Sequence, residues 1–365
     1  MAPIVLALQK HSQFESYVCV TGQHREMLDS VLHLFEIKPD YNLDIMQPNQ
    51  DLYSITTRVL NGLKPVLNEL KPDCVIVQGD TTSTMAASLA AFYQKISVAH
   101  VEAGLRTRDI YAPYPEEVNR AIVSRIARFH FAPTEIAKNN LISEQINSNI
   151  FVTGNTVIDS LLWVRDKVNQ INNFSEYYGS NIQNLIDQKK NIILITGHRR
   201  ENFGEGFKNI CFALKTLAEK YSDWHFIYPV HLNPNVQKPV LEILSKVHNF
   251  YLIPPLDYAP FIYLMDKAKI IITDSGGIQE EAPSLGKPVL VTRDVTERPE
   301  GVAAGAVILV GTNTQRIIEE TESLMQDKER YAKMSRISNP YGDGKASSRI
   351  IEILIDFNAS ASIVL

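Results

Sequence analysis

The chain has 365 residues, a formal net charge of -5 and 45% hydrophobic residues, which suits two medium-sized domains with well-filled cores. The mild acidity and the absence of any Lys/Arg-rich block argue against a surface that binds nucleic acid or a membrane. A small or polar substrate is the expectation that remains.

The N-terminal sequence and the cysteines indicate the compartment. Residues 1–12 contain no basic leader and only a short apolar run, so they predict neither a secretory signal nor a membrane span, and we expect a cytoplasmic protein. Cys19, Cys74 and Cys211 stand singly in apolar stretches, without the paired spacing of a zinc site or a disulfide framework. We interpret all three as core thiols.

Short β-branched runs alternate with amphipathic stretches along the chain, beginning with a predicted helix at residues 2–10. The alternation predicts parallel sheets built from strand-helix-strand units, and therefore an α/β fold with two doubly wound, Rossmann-like domains facing a cleft. The first domain contains predicted strands at 17–20, 74–78, 97–101, 129–132 and 150–152, with a helix over 51–70. The second contains predicted strands at 192–196, 225–230, 251–253, 270–273, 289–291 and 307–310.

A polar stretch at 169–190 separates the two sets of strands. We therefore place an N-terminal domain at 1–157 and a C-terminal domain at 158–345. An apolar stripe at helical spacing from Ile350 to Phe357 then predicts a C-terminal helix over 346–365 that packs back on the first domain.

Carboxylates follow the predicted strands of the first domain. Asp80 and Glu102 come directly after two strands, and Glu116 lies in the first turn of the next predicted helix. Each alone has a plain structural interpretation, as a helix cap, a surface charge or a partner of the helix dipole, and for Glu117 we favour that plain role. Together, Asp80, Glu102 and Glu116 suggest an acid/base site with several carboxylates.

Histidine and arginine follow the first strand of the second domain. His198 stands beside Arg199 and Arg200 in a polar loop, where such side chains bind phosphates or transfer protons. His231 ends another predicted strand, and its role stays open between function and structure.

The strongest phosphate-binding signal is the segment TDSGGIQEE, residues 273–281. Here a buried strand turns through Gly276 and Gly277 into a helix, so that backbone N–H groups can approach an anion and the helix dipole favours its charge. Glu281 is placed either to accept the two hydroxyls of a ribose or to face solvent. Arg298, in a later charged loop, is either a diphosphate partner or a surface charge.

Several cofactor signatures are absent from the sequence. There is no Walker A motif, no Gly-x-Gly-x-x-Gly and no Asp-x-Asp pair for a metal-bound diphosphate. The residues alone therefore predict an enzyme that needs no metal and no NAD and acts on a nucleotide-linked molecule.

Seven motifs in order resemble those of the non-hydrolysing UDP-N-acetylglucosamine 2-epimerases over essentially the whole chain: GDTTST, HVEAGLRT, PYPEEVNR, GHRRENFG, YPVHLNP, TDSGGIQEEAPSLGKPVL and TERPEG. The resemblance implies a homodimer of GT-B-type subunits. It also implies reversible C2 epimerisation of UDP-N-acetylglucosamine to UDP-N-acetylmannosamine, by elimination and re-addition of UDP, for surface polysaccharide precursors. Motif matching assigns catalysis to Asp80, Glu102, Glu116 and His198, and substrate binding to Phe261 (near uracil), Ser275, Gly276, Gly277, Glu281 and Arg298.

Some relatives bind a second UDP-N-acetylglucosamine as an activator. Gln23, Arg199 and His231 fit that pattern, whereas Glu26 and Asn49 stand where those relatives carry glutamine and arginine.

The resemblance also implies a missing start. Family members carry a strand, and a loop with an arginine and a lysine, before the helix that begins here near Ala2. We therefore expect an N-terminally truncated form whose first sheet lacks its central strand, with unpaired inner strands, low stability and weak activity.

Three other functions compete with the epimerase. A GT-B glycosyltransferase would share the nucleotide-binding half, an epimerase for another UDP-sugar would share the whole site, and a binding protein without turnover would keep only the affinity for UDP.

Overall fold

Strands and helices alternate in the computed structural model, which describes residues 1–22, 25–47, 50–171, 173–357 and 361–365. The chain divides into an N-terminal unit, Met1–Ser160 with Gly342–Leu365, and a C-terminal unit, Leu161–Tyr341. Each unit contains one six-stranded parallel sheet, which confirms the predicted α/β fold of two Rossmann-like sheets.

The elements of the N-terminal unit are, in chain order, α1 (Ala2–Leu8), β1 (Phe14–Tyr17), β2 (Cys19–Val20), α2 (Arg25–Leu34), β3 (Tyr41–Asn42), α3 (Leu52–Leu70), β4 (Cys74–Gln78), α4 (Thr82–Tyr93), β5 (Ser97–Val101), α5 (Glu116–Ile126), β6 (Phe129–Ala132), α6 (Glu135–Ser143) and β7 (Ile150–Val152). Helix α7 (Thr156–Ile171) leads into the C-terminal unit.

The C-terminal unit contains α8 (Ser175–Tyr178), α9 (Ser180–Asp187), β8 (Asn191–Thr196), α10 (Glu205–Lys220), β9 (Trp224–Pro229), α11 (Pro234–Leu244), β10 (Phe250–Ile253), α12 (Tyr258–Lys267), β11 (Ile270–Thr273), α13 (Gly276–Glu281), β12 (Val289–Val291), α14 (Pro299–Ala304), β13 (Val307–Leu309), α15 (Thr314–Gln326) and α16 (Lys328–Ser335), with short 3-10 turns at Arg200–Asn202 and Ala282–Leu285. The chain then returns to the N-terminal unit as α17 (Ala346–Phe357) and β14 (Ala361–Val364).

The C-terminal sheet has the strand order β10-β9-β8-β11-β12-β13. Its inner strands are continuous apolar runs that are buried on both faces, as expected for a parallel sheet covered by helices. The strand predictions for this half are therefore confirmed, with ends that differ by at most one residue.

The N-terminal sheet has the order β1-β14-β4-β5-β6-β7, so a strand from the C-terminal end of the chain lies inside it. The predicted helix over 346–365 is wrong in its second half, because the helix ends at Phe357 and Ala361–Val364 form β14. The expectation of an unfilled central position is also wrong, since β14 pairs in parallel with both β1 and β4.

Two apolar clusters cover the two faces of the N-terminal sheet. One joins Ile4 of α1 and Ile350 of α17 to the sheet, and the other joins Val59 of α3 and Ala86 of α4 to it. Helix α17 thus packs beside α1 on one face.

The three cysteines are predicted to be core thiols. Cys74 and Cys211 are buried and Cys19 is partly so, and burial raises the pKa of the Cys74 and Cys211 thiols to about 12. Both thiols therefore stay protonated in the core, as predicted.

Within the described residues, none of the helices combines the length and the apolar character that a membrane span requires.

Candidate functional site

Asp80 and Glu102 follow adjacent strands of the N-terminal sheet. The β4–β5 register pairs Gln78 with Val101, so both carboxylates emerge at the carboxyl edge of the sheet. This is the edge where open parallel sheets place ligands.

The Asp80 carboxylate is held by an arginine of α5. Arg120 Nη2 lies 2.7 Å and Arg120 Nε 2.9 Å from Asp80 Oδ2, and the Asn119 side chain donates to the Asp80 carbonyl at 2.9 Å. The Asp80 side chain keeps 26% of its surface exposed. It is therefore an oriented carboxylate with access to solvent.

Glu102 has a backbone conformation that is uncommon for a residue with a side chain. Its φ is +64°, in the left-handed region, where such strain concentrates at functional sites. Asn155 Nδ2 donates to Glu102 Oε1 at 3.3 Å. A Cβ atom placed on Gly79 would lie 3.5 Å from Glu102 Oε2, so this carboxylate lies against the turn that carries Asp80.

The two glutamates at the start of α5 differ in their surroundings. Glu116 is half-buried and lies one turn before Arg120, on the helix face that contacts Asp80. Glu117 is buried and accepts hydrogen bonds from the backbone N–H groups of Thr107 (3.1 Å) and Arg108 (2.9 Å) and from Arg120 (2.9 Å). Although burial opposes it, these donors hold the pKa of Glu117 below its ordinary value.

His100, on β5, fixes the turn before Asp80. Its Nε2 donates to the Gly79 carbonyl at 2.8 Å, because a carbonyl oxygen can only accept. Burial lowers the pKa of His100 to about 4, so the ring is neutral at physiological pH. The histidine thus shapes the Gly79–Asp80 turn without adding charge.

In the C-terminal unit, Asp274 organises the loop that carries His198. It is fully buried after β11, and its Oδ2 accepts from the backbone N–H groups of His198 and Arg199, both at 2.8 Å. Its Oδ1 has no hydrogen-bond partner among the described residues and lies 3.8 Å from His198 Nδ1. A small rotation of the imidazole would join the two groups.

The His198 ring stacks on His231, with centroids 5.1 Å apart and planes inclined by 12°. Burial lowers the pKa of His198, although the Asp274 carboxylate opposes the shift. His231 Nδ1 accepts from the backbone N–H of Asn233 at 3.1 Å, so the proton of its neutral ring is on Nε2.

The Ser275–Gly277 segment turns from β11 into α13. Ser275 N–H donates to Thr273 Oγ1 at 3.0 Å, and the helix begins at Gly276. A Cβ atom on Gly276 would meet nothing nearer than Arg199 Nη2, at 3.8 Å. Open space and a guanidinium therefore lie beside this turn, as an anion would require.

Glu281 is 7% exposed, so it is not the solvated residue of the alternative interpretation. Burial raises the pKa of Glu281 to about 7, although the Tyr258 hydroxyl donates to its Oε1 at 2.6 Å and opposes the shift. Phe261 follows Tyr258 by one turn of α12 and is half-buried.

The guanidinium of Arg298 forms an ion pair with the buried carboxylate of Glu280, so Arg298 is not a solvated surface charge. Its role as a diphosphate partner stays a prediction.

The positions linked to activation are only partly described. Arg199 and His231 lie in the C-terminal unit as given above, whereas Gln23 and Asn49 lie outside the described residues, as does the side chain of Glu26. In the described part of the chain, no group of three or more His, Cys, Asp or Glu side chains is arranged to hold a metal ion.

Sequence reasoning missed Arg120, Asn155, Asp274 and Tyr258. Asp274 directly follows a buried strand, the same signal that identified Asp80, and Arg120 lies inside a quoted motif one turn after Glu116. Asn155 and Tyr258 carry no comparable signal, since only the folded chain brings them to Glu102 and Glu281.

Fold and site together define a GT-B-type α/β enzyme of nucleotide-sugar metabolism. The sequence profile of the family described as UDP-N-acetylglucosamine 2-epimerase matches residues 6–355. The UDP-N-acetylglucosamine 2-epimerase of Escherichia coli (strain K12) is 59% identical over 97% of this chain and 94% of the relative. The enzyme of that name from Campylobacter jejuni is 56% identical over 100% of this chain and 96% of the relative.

A solved structure with an epimerase name is also similar to this chain. The crystal structure of UDP-GlcNAc 2-epimerase from Neisseria meningitidis bound to UDP-GlcNAc superposes with a TM-score of 0.85, at 56% identity, over 98% of this chain and 96% of that chain. The chain belongs to the UDP-N-acetylglucosamine 2-epimerase family, whose members are isomerases. The coverage of 97–100% of this chain does not support the prediction of a truncated form.

Proposed function

We propose that this chain interconverts UDP-N-acetylglucosamine and UDP-N-acetylmannosamine by inverting carbon C2 of the sugar, and so supplies a surface polysaccharide precursor. The observation that carries the proposal is the pair Asp80 and Glu102 at the ends of adjacent strands, in a chain of the epimerase family. The bound UDP-GlcNAc in the Neisseria meningitidis relative supports the same ligand here.

The chemistry requires UDP to leave before C2 is inverted. The C2 proton is not adjacent to a carbonyl, so its direct removal would give an unstabilised carbanion. In the proposed route a carboxylate takes the proton, the C2–H electron pair forms the C1–C2 double bond, and the C1–O bond breaks toward UDP. UDP then adds back to C1 of the 2-acetamidoglucal while C2 receives a proton from the opposite face.

The carboxylates of the N-terminal unit are the proposed proton carriers. Removal and return of a proton on two faces require more than one positioned group, and Asp80, Glu102 and Glu116 supply them. The two contacts from Arg120 hold the Asp80 carboxylate in one orientation while its side chain keeps access to solvent, as a positioned proton carrier requires.

The C-terminal unit is proposed to hold UDP. The Ser275 hydroxyl, the backbone N–H groups of Gly276 and Gly277 and the imidazole of His198 would stabilise the charge that develops on the leaving diphosphate. Because burial lowers the pKa of His198, its neutral ring donates one hydrogen bond at physiological pH. Glu281 would accept the ribose hydroxyls and Phe261 would contact uracil.

Arg298 is proposed to approach the diphosphate while it stays paired with Glu280. A guanidinium has five N–H donors, so one carboxylate partner leaves donors for a second anion. Arg298→Lys should therefore weaken UDP binding although it keeps the positive charge, because an ammonium lacks the planar fork of donors with which a guanidinium can bind two anions.

The proposed reaction is tested by incubating the purified chain with UDP-N-acetylglucosamine in deuterium oxide and following C2 by NMR. Deuterium at C2 and the appearance of UDP-N-acetylmannosamine are the expected results. Binding of UDP without exchange would identify a binding protein. Transfer of the sugar to an added acceptor would identify a glycosyltransferase, and turnover of only a 2,3-diacetamido or 6-deoxy UDP-sugar would identify the related epimerase.

A homodimer, activation by a second UDP-N-acetylglucosamine and a cytoplasmic location remain predictions. The stacking of His231 on His198 supports communication between a second ligand and the catalytic loop, since one that touched His231 would also move His198. Light scattering would give the mass of the assembly, and a sigmoidal dependence of rate on substrate would reveal activation.

A further inference from the structure

Two loops flank the turn of residues 275–277, because their strands flank β11 in the C-terminal sheet. The β8 loop comprises residues 197–204, and the β12 loop comprises residues 292–298. The three strands are parallel, so both loops emerge at the same edge of the sheet as the turn. The proposed diphosphate site therefore has one loop on each side.

Arg293 of the β12 loop joins that loop to the β8 loop. Its Nε lies 2.5 Å from Glu201 Oε1, and its Nη1 lies 3.1 Å from Glu297 Oε2. The Arg293 side chain is 5% exposed, whereas those of Glu201 and Glu297 are 48% and 40% exposed. A buried guanidinium thus holds two exposed carboxylates, one on each loop.

Further hydrogen bonds connect the same parts of the C-terminal unit. The buried Asn202 side chain, in the β8 loop, donates to the Thr292 carbonyl at 3.0 Å. The β12 loop is also attached to α13, because Thr296 Oγ1 donates to Gln279 Oε1 at 2.7 Å. The two loops and the helix that begins at the turn therefore form one hydrogen-bonded assembly.

The guanidinium of Arg293 uses three nitrogens for its two partners. Nε and Nη2 face Glu201 at 2.5 and 3.5 Å, and Nη1 and Nη2 face Glu297 at 3.1 and 3.3 Å. Although burial opposes it, Arg293 and then Arg199 hold the pKa of Glu297 below its ordinary value. Arg199 Nη2 is also the nearest atom to a Cβ placed on Gly276, at 3.8 Å. The carboxylate of Glu297 is thus linked through Arg199 to the start of the turn.

We propose that Arg293 is a positioning residue for UDP binding: it joins the two loops and offsets the charge of the Glu201 and Glu297 carboxylates beside the diphosphate. The β8 loop carries His198, so the same contact also determines where the imidazole lies. Without the guanidinium, the carboxylates would repel an anionic ligand and the loops would separate. The inference rests on the proposed binding of UDP, but not on the proposed chemistry at C2.

Calorimetric titration of the full chain with UDP tests the proposal. Arg293→Lys keeps the positive charge but loses the planar fork that holds two carboxylates, so it should weaken UDP binding at least about tenfold. Arg330→Lys is the matched control, because Arg330 of α16 pairs with Glu320 of α15, away from both loops. It should bind UDP as the unaltered chain does. Equal affinities of Arg293→Lys and the control would overturn the proposal.

A double-variant cycle identifies the partner through which Arg293 acts. Arg293→Met and Glu201→Ala each break the same contact, and each should weaken UDP binding. The double variant should bind UDP at least as tightly as Arg293→Met alone, because it also removes a carboxylate that has lost its partner. A general loss of packing would show no such rescue. Weaker binding by the double variant than by either single variant would contradict the proposal.

Hydrogen exchange followed by mass spectrometry measures the hold on the β8 loop without any ligand. Arg293→Met should speed the exchange of backbone amides in residues 198–203 several-fold, although Arg293 and Glu201 are 92 positions apart. Arg330→Lys should leave this exchange unchanged, and Arg293→Lys covers the case in which Arg293→Met does not fold. Unchanged exchange in both Arg293 variants would refute the positioning role.

The two measurements also separate this proposal from the proposed function. If the unaltered chain did not bind UDP, the proposed function would be wrong, and exchange in the β8 loop would still decide whether Arg293 holds that loop. If the unaltered chain binds UDP and Arg293→Lys binds it equally well, only the role of Arg293 is wrong.

Discussion

The two units carry polar side chains at corresponding edges of similar sheets, but they bury them differently. In the C-terminal unit, Asp274 is fully buried and Glu281 is 7% exposed, and both accept hydrogen bonds from within that unit. In the N-terminal unit, Asp80 keeps 26% of its side chain exposed and is balanced by Arg120. Buried groups that accept hydrogen bonds favour one fixed geometry, which suits binding, whereas hydrated carboxylates can exchange protons.

The comparison assigns the largest effect on rate to the partly exposed carboxylates Asp80 and Glu102. We expect Asp80→Asn and Glu102→Gln each to lower turnover by at least about a hundredfold, because each removes a positioned proton carrier. Affinity for UDP should change little, as measured by calorimetry beside steady-state rates. Glu135→Gln, which alters an exposed carboxylate of α6, is the control and should leave both unchanged. Near-normal turnover in either variant would remove that residue from the mechanism.

An intermediate effect is expected for Asp274→Asn, which tests whether burial in the C-terminal unit serves the His198 loop. Hydrogen bonds to a buried charged group contribute about 1.5 to 3 kcal/mol each, so the variant should lose about 2 kcal/mol of unfolding free energy. Turnover should fall roughly tenfold because the loop is held less well. Chemical denaturation and steady-state rates measure the two effects.

Asp51→Asn is the control for Asp274→Asn. Asp51 caps α3 by accepting from Ser54 N–H, and asparagine is an equally good cap. If Asp274→Asn were as stable and as active as this control, Asp274 would not position the loop.

The raised pKa of the buried Glu281 predicts how the unfolding free energy of the chain depends on pH. Folding raises its pKa from 4.5 to about 7, so the folded chain keeps a proton that the unfolded chain releases in this range. The stabilisation is full below pH 4.5 and is lost as the pH rises through 7, by up to roughly 3 kcal/mol.

Glu281→Gln should remove this part of the slope, because the amide stays neutral at every pH. Unfolding free energies from pH 4.5 to 8 provide the measurement. The exposed Glu329→Gln should keep the slope of the unaltered chain. Parallel slopes for Glu281→Gln and the unaltered chain would refute the assignment.

Removing metal ions or adding NAD is expected to have no effect on turnover. Because the sequence contains neither a dinucleotide nor a metal-diphosphate fingerprint, EDTA should leave turnover unchanged and added NAD should not raise it. If EDTA abolished activity and a divalent metal restored it, the prediction would be wrong and a metal ion would take part in the reaction.

Local patterns in the sequence were sufficient for most of the fold. Each buried run such as Ile270–Thr273 is continuous and apolar, so its strand can be recognised without its neighbours. The same logic placed Asp80, Glu102 and Ser275 at strand ends. The apolar stripe of α17 was also clear. The strand β14 that follows it was not, because four residues are too few to show a helical or a strand periodicity.

What the sequence could not predict depends on pairing across the chain. β14 is a strand because β1 and β4 offer it backbone partners, and no local signal encodes that pairing. Similarly, the contact between Arg120 and Asp80 joins residues 40 positions apart. The positive φ of Glu102 also follows from the folded surroundings, since glutamate has no preference for it.

The place of β14 also bears on the order in which the chain folds during synthesis. The C-terminal sheet is encoded within one continuous stretch, Leu161–Tyr341, and can close as soon as that stretch has left the ribosome. The N-terminal sheet is begun first, yet β1 and β4 must wait for Ala361–Val364. Until then its inner edge is open to other strands, including those of nascent neighbours on the same messenger RNA. The unit that is synthesised first is therefore the last to complete its sheet.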